Sequence, residues 1–274
     1  MKPARSLLLL PLAALCGCTR LFFHPETRVF ADPAAAGMKY EVIKFTSEDG
    51  TALTGLFFPA AGEARATVVG FHGNAQNMTA HFVYSAWLAA EGYNVFIVDY
   101  RGYGASGGKA SLDGVVMDAR AALAHSLKLP GARPDRIVVF GQSLGGAVAV
   151  AAVAQSGFKP AALVLEGTFY SYRGVASASL RRHWLTWPLA WLPWLAVSGR
   201  HSPSDFIAGI TCPKLFLHSE NDGTVPFSQG KKLYDAAPQP KEFWTVPGGH
   251  IEAFGLYRET FGPRLLAFLE KITG

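Results

Sequence analysis

Apolar positions in this chain follow two signatures that take turns: short runs with little polar interruption, and longer stretches with helical spacing. The short runs lie at Thr67 to Phe71, Asn94 to Val98, Arg136 to Phe140, Ala162 to Leu165, Lys214 to His218 and Glu242 to Val246, and they are rich in β-branched and aromatic residues. Runs of this kind suit strands buried on both faces. Ahead of them, Tyr40 to Thr46 and Leu53 to Phe58 flank Ser47, Glu48, Asp49 and Gly50, which predicts a leading hairpin. Helical spacing covers Thr79 to Ala90, Leu112 to Leu127 behind a possible Ser111 cap, Leu144 to Gln155, Ser228 to Ala236, and Glu259 to Ile272. Strand and helix alternate, so the expected class is α/β: a mostly parallel central sheet with helices on both faces.

One junction in this pattern carries chemistry. Gly141, Gln142, Ser143, Leu144 and Gly145 separate a strand from a helix. A G-x-S-x-G turn there forces the serine into a strained backbone and aims its oxygen outward, with the N–H of Leu144 free behind it as an oxyanion donor. The plainer alternative is a glycine-rich turn with an incidental serine. Ligands of open α/β sheets collect at the carboxyl ends of the strands, and His72, Gly73 and Asn74 follow another strand end at Phe71. Asn74 or Ala75 would supply a second oxyanion N–H, while His72 reads better as a structural histidine at a tight turn. A serine needs an imidazole to take its proton and an acid to orient that imidazole; hydrolases with this turn carry them in the order serine, acid, histidine. Only His250 follows the last strand, in a loop opened by Pro247, Gly248 and Gly249. Asp222, between Asn221 and Gly223, stands where the acid belongs. Glu166, at the end of the preceding strand, is its rival, and Asp99 reads as a turn-fixing residue.

Four blocks now match a known family: FHGNAQN from Phe71, VDYRGYGASGG from Val98, GQSLGGAVA from Gly141, and the late pair NDGTVPF from Asn221 and GGH ending at His250. Over about residues 40 to 272 the chain resembles an α/β-hydrolase of the serine aminopeptidase-like group that includes the eukaryotic α/β-hydrolase-domain depalmitoylases. The resemblance implies an α/β-hydrolase fold with a small lid insertion, a triad of Ser143, Asp222 and His250, and oxyanion donors on the backbone of Asn74 and Leu144. Gln76 stands where many relatives carry glycine, and Ile251 where many carry asparagine. The expected activity is a serine hydrolase that cleaves carboxylic esters or thioesters through an acyl-enzyme. A peptidase, aminopeptidase or amidase on the same triad is the alternative, and a non-catalytic binding protein the more distant one.

The segment from about 169 to 210 departs most from a plain hydrolase core. Trp184, Trp187, Trp191 and Trp194 recur at three- and four-residue steps, interrupted by Pro188 and Pro193 and preceded by Arg181, Arg182 and His183. This predicts a lid. Its indoles suit an acyl-chain pocket or a membrane interface, or else pack the lid onto the core.

Composition narrows the setting. Half of the 274 residues are apolar and 16% are charged, which suits one folded domain over residues 39–274. Lys2, Arg5 and the apolar run from Ser6 to Leu15 have the layout of a secretory signal, about residues 1–17, too short for a bilayer-spanning anchor. Leu15, Cys16, Gly17 and Cys18 resemble a bacterial lipobox, which implies a lipid on Cys18, an anchor or linker over 18–38, and an exported lipoprotein. Thr19 after it, in place of aspartate, favours the outer membrane. Without the signal the formal charge drops from +5 to +3, which gives no reason to expect nucleic acid as a partner. Expected partners are a small-molecule or lipid-like acyl substrate and the membrane. Cys212 would be left as a lone packed thiol, no metal-ligand spacing is visible, and no cofactor is expected.

Overall fold

A computed structural model describes residues 22–274, so the signal segment and Cys18 lie outside the described residues. Eight strands form the main sheet: β1 Glu41–Thr46, β2 Ala52–Phe58, β3 Thr67–Phe71, β4 Asn94–Asp99, β5 Ile137–Gln142, β6 Ala162–Glu166, β7 Lys214–Ser219 and β8 Lys241–Val246. Their spatial order is β8, β7, β6, β5, β3, β4, β2, β1. β2 runs antiparallel to both of its neighbours, and β3 to β8 are mutually parallel. From β3 the chain steps to one side for β4 and returns to the other side for β5, which makes the carboxyl ends of β3 and β5 the switch point of the sheet.

Period-two alternation divides the interior into two layers. Val69, Phe71, Phe96, Val98 and Val139 face one cluster, and Val68, Val95, Ile97, Val138 and Phe140 face the other. The first layer is closed by α1 Leu112–Ser126 and α2 Leu144–Ser156. Ser111 caps α1 by accepting the Gly114 N–H, as its sequence predicts. From Leu144 to Val153 every residue of α2 is buried, because this helix is covered by the sheet on one side and by α1 and other elements around it. Helix α3 spans Tyr172–Arg181, α4 Phe227–Ala236 and α5 Arg258–Thr273; α5 closes the second layer through Phe261, Leu265, Phe268 and Leu269.

Two expectations differ from the structure. The helix expected over Thr79 to Ala90 is one α-turn, Met78–His81, followed by 3-10 turns at Phe82–Tyr84 and Ala86–Ala89. Its aromatic residues dock on two distant segments, Phe82 on Phe58 and Trp87 on Phe254, while Tyr84 packs on His81 within the stretch itself. The stretch expected as a linker also packs on the body from Phe22 onward. Phe23 is buried, His24 and Pro25 pair in parallel with Ala75 and Gln76, and Asn77 donates to the carbonyls of Glu26 and Arg28.

Candidate active site

Ser143 has φ 53° and ψ −118°, a conformation that costs a non-glycine residue on the order of 1–3 kcal/mol and is kept only where its surroundings impose it. The surroundings are visible. A Cβ on Gly141 would strike the backbone of Gly146, and one on Gly145 would strike the carbonyls of Phe71 and His72. The elbow therefore requires glycine at both flanking positions, and the Ser143 N–H donates to the Glu166 carbonyl at 2.8 Å. Ser111 and Ser171 spend their hydroxyls on capping α1 and α3, but the Ser143 hydroxyl makes no cap bond at the start of α2. Leu144 is the first residue of that helix, so its N–H has no intrahelical acceptor.

The loop after β3 is held by side chains along its whole length. Tyr100 Oη donates to the carbonyl of His72 (3.1 Å), His72 Nδ1 to Gly73 (2.7 Å), Tyr103 Oη to Asn74 (2.6 Å) and His81 Nε2 to Ala75 (3.2 Å). Because a carbonyl and the N–H of the same peptide point in opposite directions, fixing the Gly73 carbonyl also fixes the Asn74 N–H. Burial raises the pKa of Tyr100 and Tyr103, so both phenols stay protonated donors. Burial, and then the neighbouring His72, pushes His81 down to about 4, leaving it neutral. His72 is structural, as expected. Asp99 fixes a turn too, through the Met78 N–H at 2.7 Å.

Asp222 sits after β7 and is buried. Its Oδ1 accepts the N–H groups of Thr224 (2.7 Å) and Val225 (2.8 Å), and its Oδ2 lies 2.6 Å from His250 Nδ1 and 3.3 Å from His218 Nε2. Burial alone would raise this carboxyl, but the hydrogen bonds from His218, His250 and Val225 outweigh it and hold it well below the usual carboxylate range. An ionised carboxylate against Nδ1 assigns the proton to that nitrogen and leaves the Nε2 lone pair free. His218 donates its Nε2–H to the Val225 carbonyl at 2.9 Å and so braces the acid loop.

The rival acid has another task. Glu166 is fully buried; its carboxylate accepts from Gln142 Nε2 and from the Ala253 N–H, both at 2.8 Å, and burial raises its pKa. Among the described residues it makes no hydrogen bond to His250. It ties the elbow to the histidine loop, a role the sequence gives no sign of. His250 packs beside Gly167, the residue after Glu166. The structure thus closes the Asp222–His250 limb and brings Ser143, Asn74 and Leu144 together on the wall of one cavity; no hydrogen bond joins the Ser143 hydroxyl to His250 among the described residues.

That cavity, of about 440 Å³, opens over Ser143 between the sheet edge and the lid. Leu144, Phe169, Val175, Leu180, Leu192 and Val225 are among the residues of its mainly apolar wall, and no charged side chain among the described residues lines it. None of the lid tryptophans does either. No cluster of histidine, cysteine or carboxylate side chains among the described residues is arranged to hold a metal.

Comparison with known proteins agrees with this architecture. The model of the family described as serine aminopeptidase, S33, matches residues 62–209, which include the loop after β3, the elbow and most of the lid. The chain is 34% identical to YfhR of Escherichia coli O157:H7 over 253 residues, 87% of this chain and 84% of that protein. It is 36% identical to the α/β-hydrolase domain-containing protein WAV2 of Arabidopsis thaliana, over 87% of this chain and 81% of that one. Among solved structures, the Pyrococcus furiosus esterase Pf2001 superposes with a TM-score of 0.77 at 22% identity, covering 92% of this chain and 99% of the esterase; at that identity it speaks for the fold alone.

Proposed function

The chain belongs to the serine aminopeptidase S33 family of α/β-hydrolases, and we propose that within it this protein cleaves carboxylic esters or thioesters of aliphatic acids through an acyl-enzyme. In this reading His250 Nε2 takes the Ser143 proton as the oxygen attacks the acyl carbon, and the N–H groups of Leu144 and Asn74 hold the resulting oxyanion. Collapse of the intermediate breaks the bond to the leaving group, which takes the proton back from His250. Water, deprotonated by the same imidazole, then attacks the acyl-enzyme, and the acid leaves as Ser143 regains its proton. Asp222 orients the imidazole and stabilises its charged form throughout.

The observation that carries ester over peptide is the wall of the cavity. An aminopeptidase must hold a substrate ammonium, and burying that charge without a carboxylate partner is costly; the walls here are mainly aliphatic and aromatic, with no acidic group among the described residues. Ser143→Ala is expected to abolish labelling by a fluorophosphonate probe and to lower turnover by roughly three or more orders of magnitude. Matched acyl esters, thioesters and aminoacyl amides, graded in chain length, decide the substrate class. A preference for the amides, or labelling that survives the substitution, overturns this reading.

We also propose that the protein is exported and acylated at Cys18. The support is the sequence pattern of residues 1–18 alone. The mass of the mature N-terminal peptide is the check, and an unmodified Cys18 in the mature chain refutes it.

A further inference from the structure

The lid turns its largest apolar side chains away from the cavity it covers. Trp184, Trp187, Trp191 and Trp194 are 82, 63, 57 and 55% exposed, and Leu185 and Leu195 stand open beside them. The lid is held together by smaller groups: Ala190, Pro193 and Val197 are buried, Ser177 Oγ donates to the Ala190 carbonyl at 2.6 Å, and Arg173 Nε donates to the Val197 carbonyl at 2.9 Å, both bonds running from α3 to the second half of the lid. The tryptophans thus do not line the pocket and are more exposed than buried. A cluster of exposed large apolar side chains calls for an occupant.

From the lid of this S33-family hydrolase we infer a membrane-docking surface, with an anionic phospholipid bilayer as its partner. Three observations fix that occupant. First, four indoles exposed within eleven residues of the lid are side chains that sit well at the boundary between headgroups and acyl chains. Second, residues 167 to 204 contain no acidic residue, and of their four arginines Arg200 is paired with Asp113, while among the described residues Arg181 and Arg182, next to the tryptophans, form no ion pair. That sign matches phosphate headgroups. Third, Phe22 stacks edge-on against Tyr172, the first residue of α3, and helps line the cavity under the lid. Four residues span at most about 14 Å, so an acyl chain on Cys18 would enter the bilayer close to the base of the lid. The lid argument stands without the anchor, and it is independent of which acyl bond is cleaved.

The test uses the full chain carrying Cys18→Ser, titrated with vesicles of phosphatidylglycerol and phosphatidylethanolamine whose acyl chains are brominated. Tryptophan emission is expected to shift to the blue and to be quenched. The combined Trp184→Ser, Trp187→Ser, Trp191→Ser and Trp194→Ser variant, left with Trp87 and Trp244, is expected to show neither change, with an unaltered melting temperature as proof of folding. Replacing phosphatidylglycerol by phosphatidylcholine is expected to weaken binding at least tenfold, and Arg181→Glu to weaken it about fivefold on anionic vesicles only. Lid emission that stays unquenched while the chain floats with the vesicles would mean that the patch is covered by the chain's own N-terminal residues or by a second copy, and overturns the inference. Equal binding to neutral vesicles overturns the choice of an anionic surface.

Discussion

One phenol holds the loop after β3 at the Asn74 carbonyl. Tyr103 donates to the Asn74 carbonyl at 2.6 Å, with only the His24 N–H, at 3.1 Å, sharing the task. A direct oxyanion donor is worth about 10²–10³ in turnover. The phenol fixes the Asn74–Ala75 peptide, next to the one that carries the proposed donor N–H of Asn74, so in the Tyr103→Phe variant kcat for a good ester is expected to fall about tenfold while KM stays within about twofold. Steady-state kinetics read this split; an unchanged kcat means that the loop holds its shape without the phenol. Two departures from the family pattern also acquire a physical meaning at this scale. Gln76 has φ 65° and Ile251 φ 50°, left-handed backbone in both cases. Glycine at the first and asparagine at the second relieve that conformation, whereas a β-branched isoleucine strains it. Sequence alone shows the odd residues but not the dihedral angles that make them odd.

Between elements, the block from Val98 to Gly108 works as a brace. Arg101, directly after β4, is buried and forms a bidentate pair with Asp118 of α1, with contacts of 2.7 to 3.1 Å, while its other arm reaches Asp49 in the β1–β2 turn. Asp118 is itself buried, so a variant that removes the guanidinium strands a carboxylate inside the protein. Arg101→Met is therefore expected to lose about 3–5 kcal/mol of stability, and Asp118→Leu added to it to recover part of the loss. Denaturant unfolding of both variants is the measurement, and a loss below about 1 kcal/mol contradicts a buried pair. Element type was legible wherever one periodicity ruled. The strands from β3 to β7 are unbroken apolar runs because neighbours cover both faces, and Ser111 announces α1 by its capping chemistry. Residues 78 to 89 were not legible as short turns, since their shape follows in part from aromatic docking sites supplied by two distant segments, at Phe58 and Phe254.

For the whole molecule, acid is the informative perturbation. His81 is buried beside the oxyanion loop with its pKa pushed down to about 4 from 6.5. Between those values the unfolded chain binds a proton that the native state refuses, so stability falls as pH drops through that window and this group adds no further loss below it. The gap corresponds to at most about 3 kcal/mol. His81→Gln is expected to lose about 2–3 kcal/mol less than the parent between pH 7 and pH 4 in urea unfolding; parallel losses in both proteins refute the assignment. Asp222 acts with the same sign further down: its stabilisation is present above the pKa of an unfolded aspartate and is lost as pH falls toward its depressed native value. By itself, the sequence determined the order of strands and helices, the glycine-flanked serine, and the candidates that follow strand ends, because these depend on neighbours a few residues apart. Only the tertiary structure decided that Asp222 rather than Glu166 meets His250, that four side chains hold the loop carrying Asn74, and that the lid tryptophans face outward. Each of these depends on which distant surfaces meet, and a chain's local pattern carries no record of the partner that buries or exposes it.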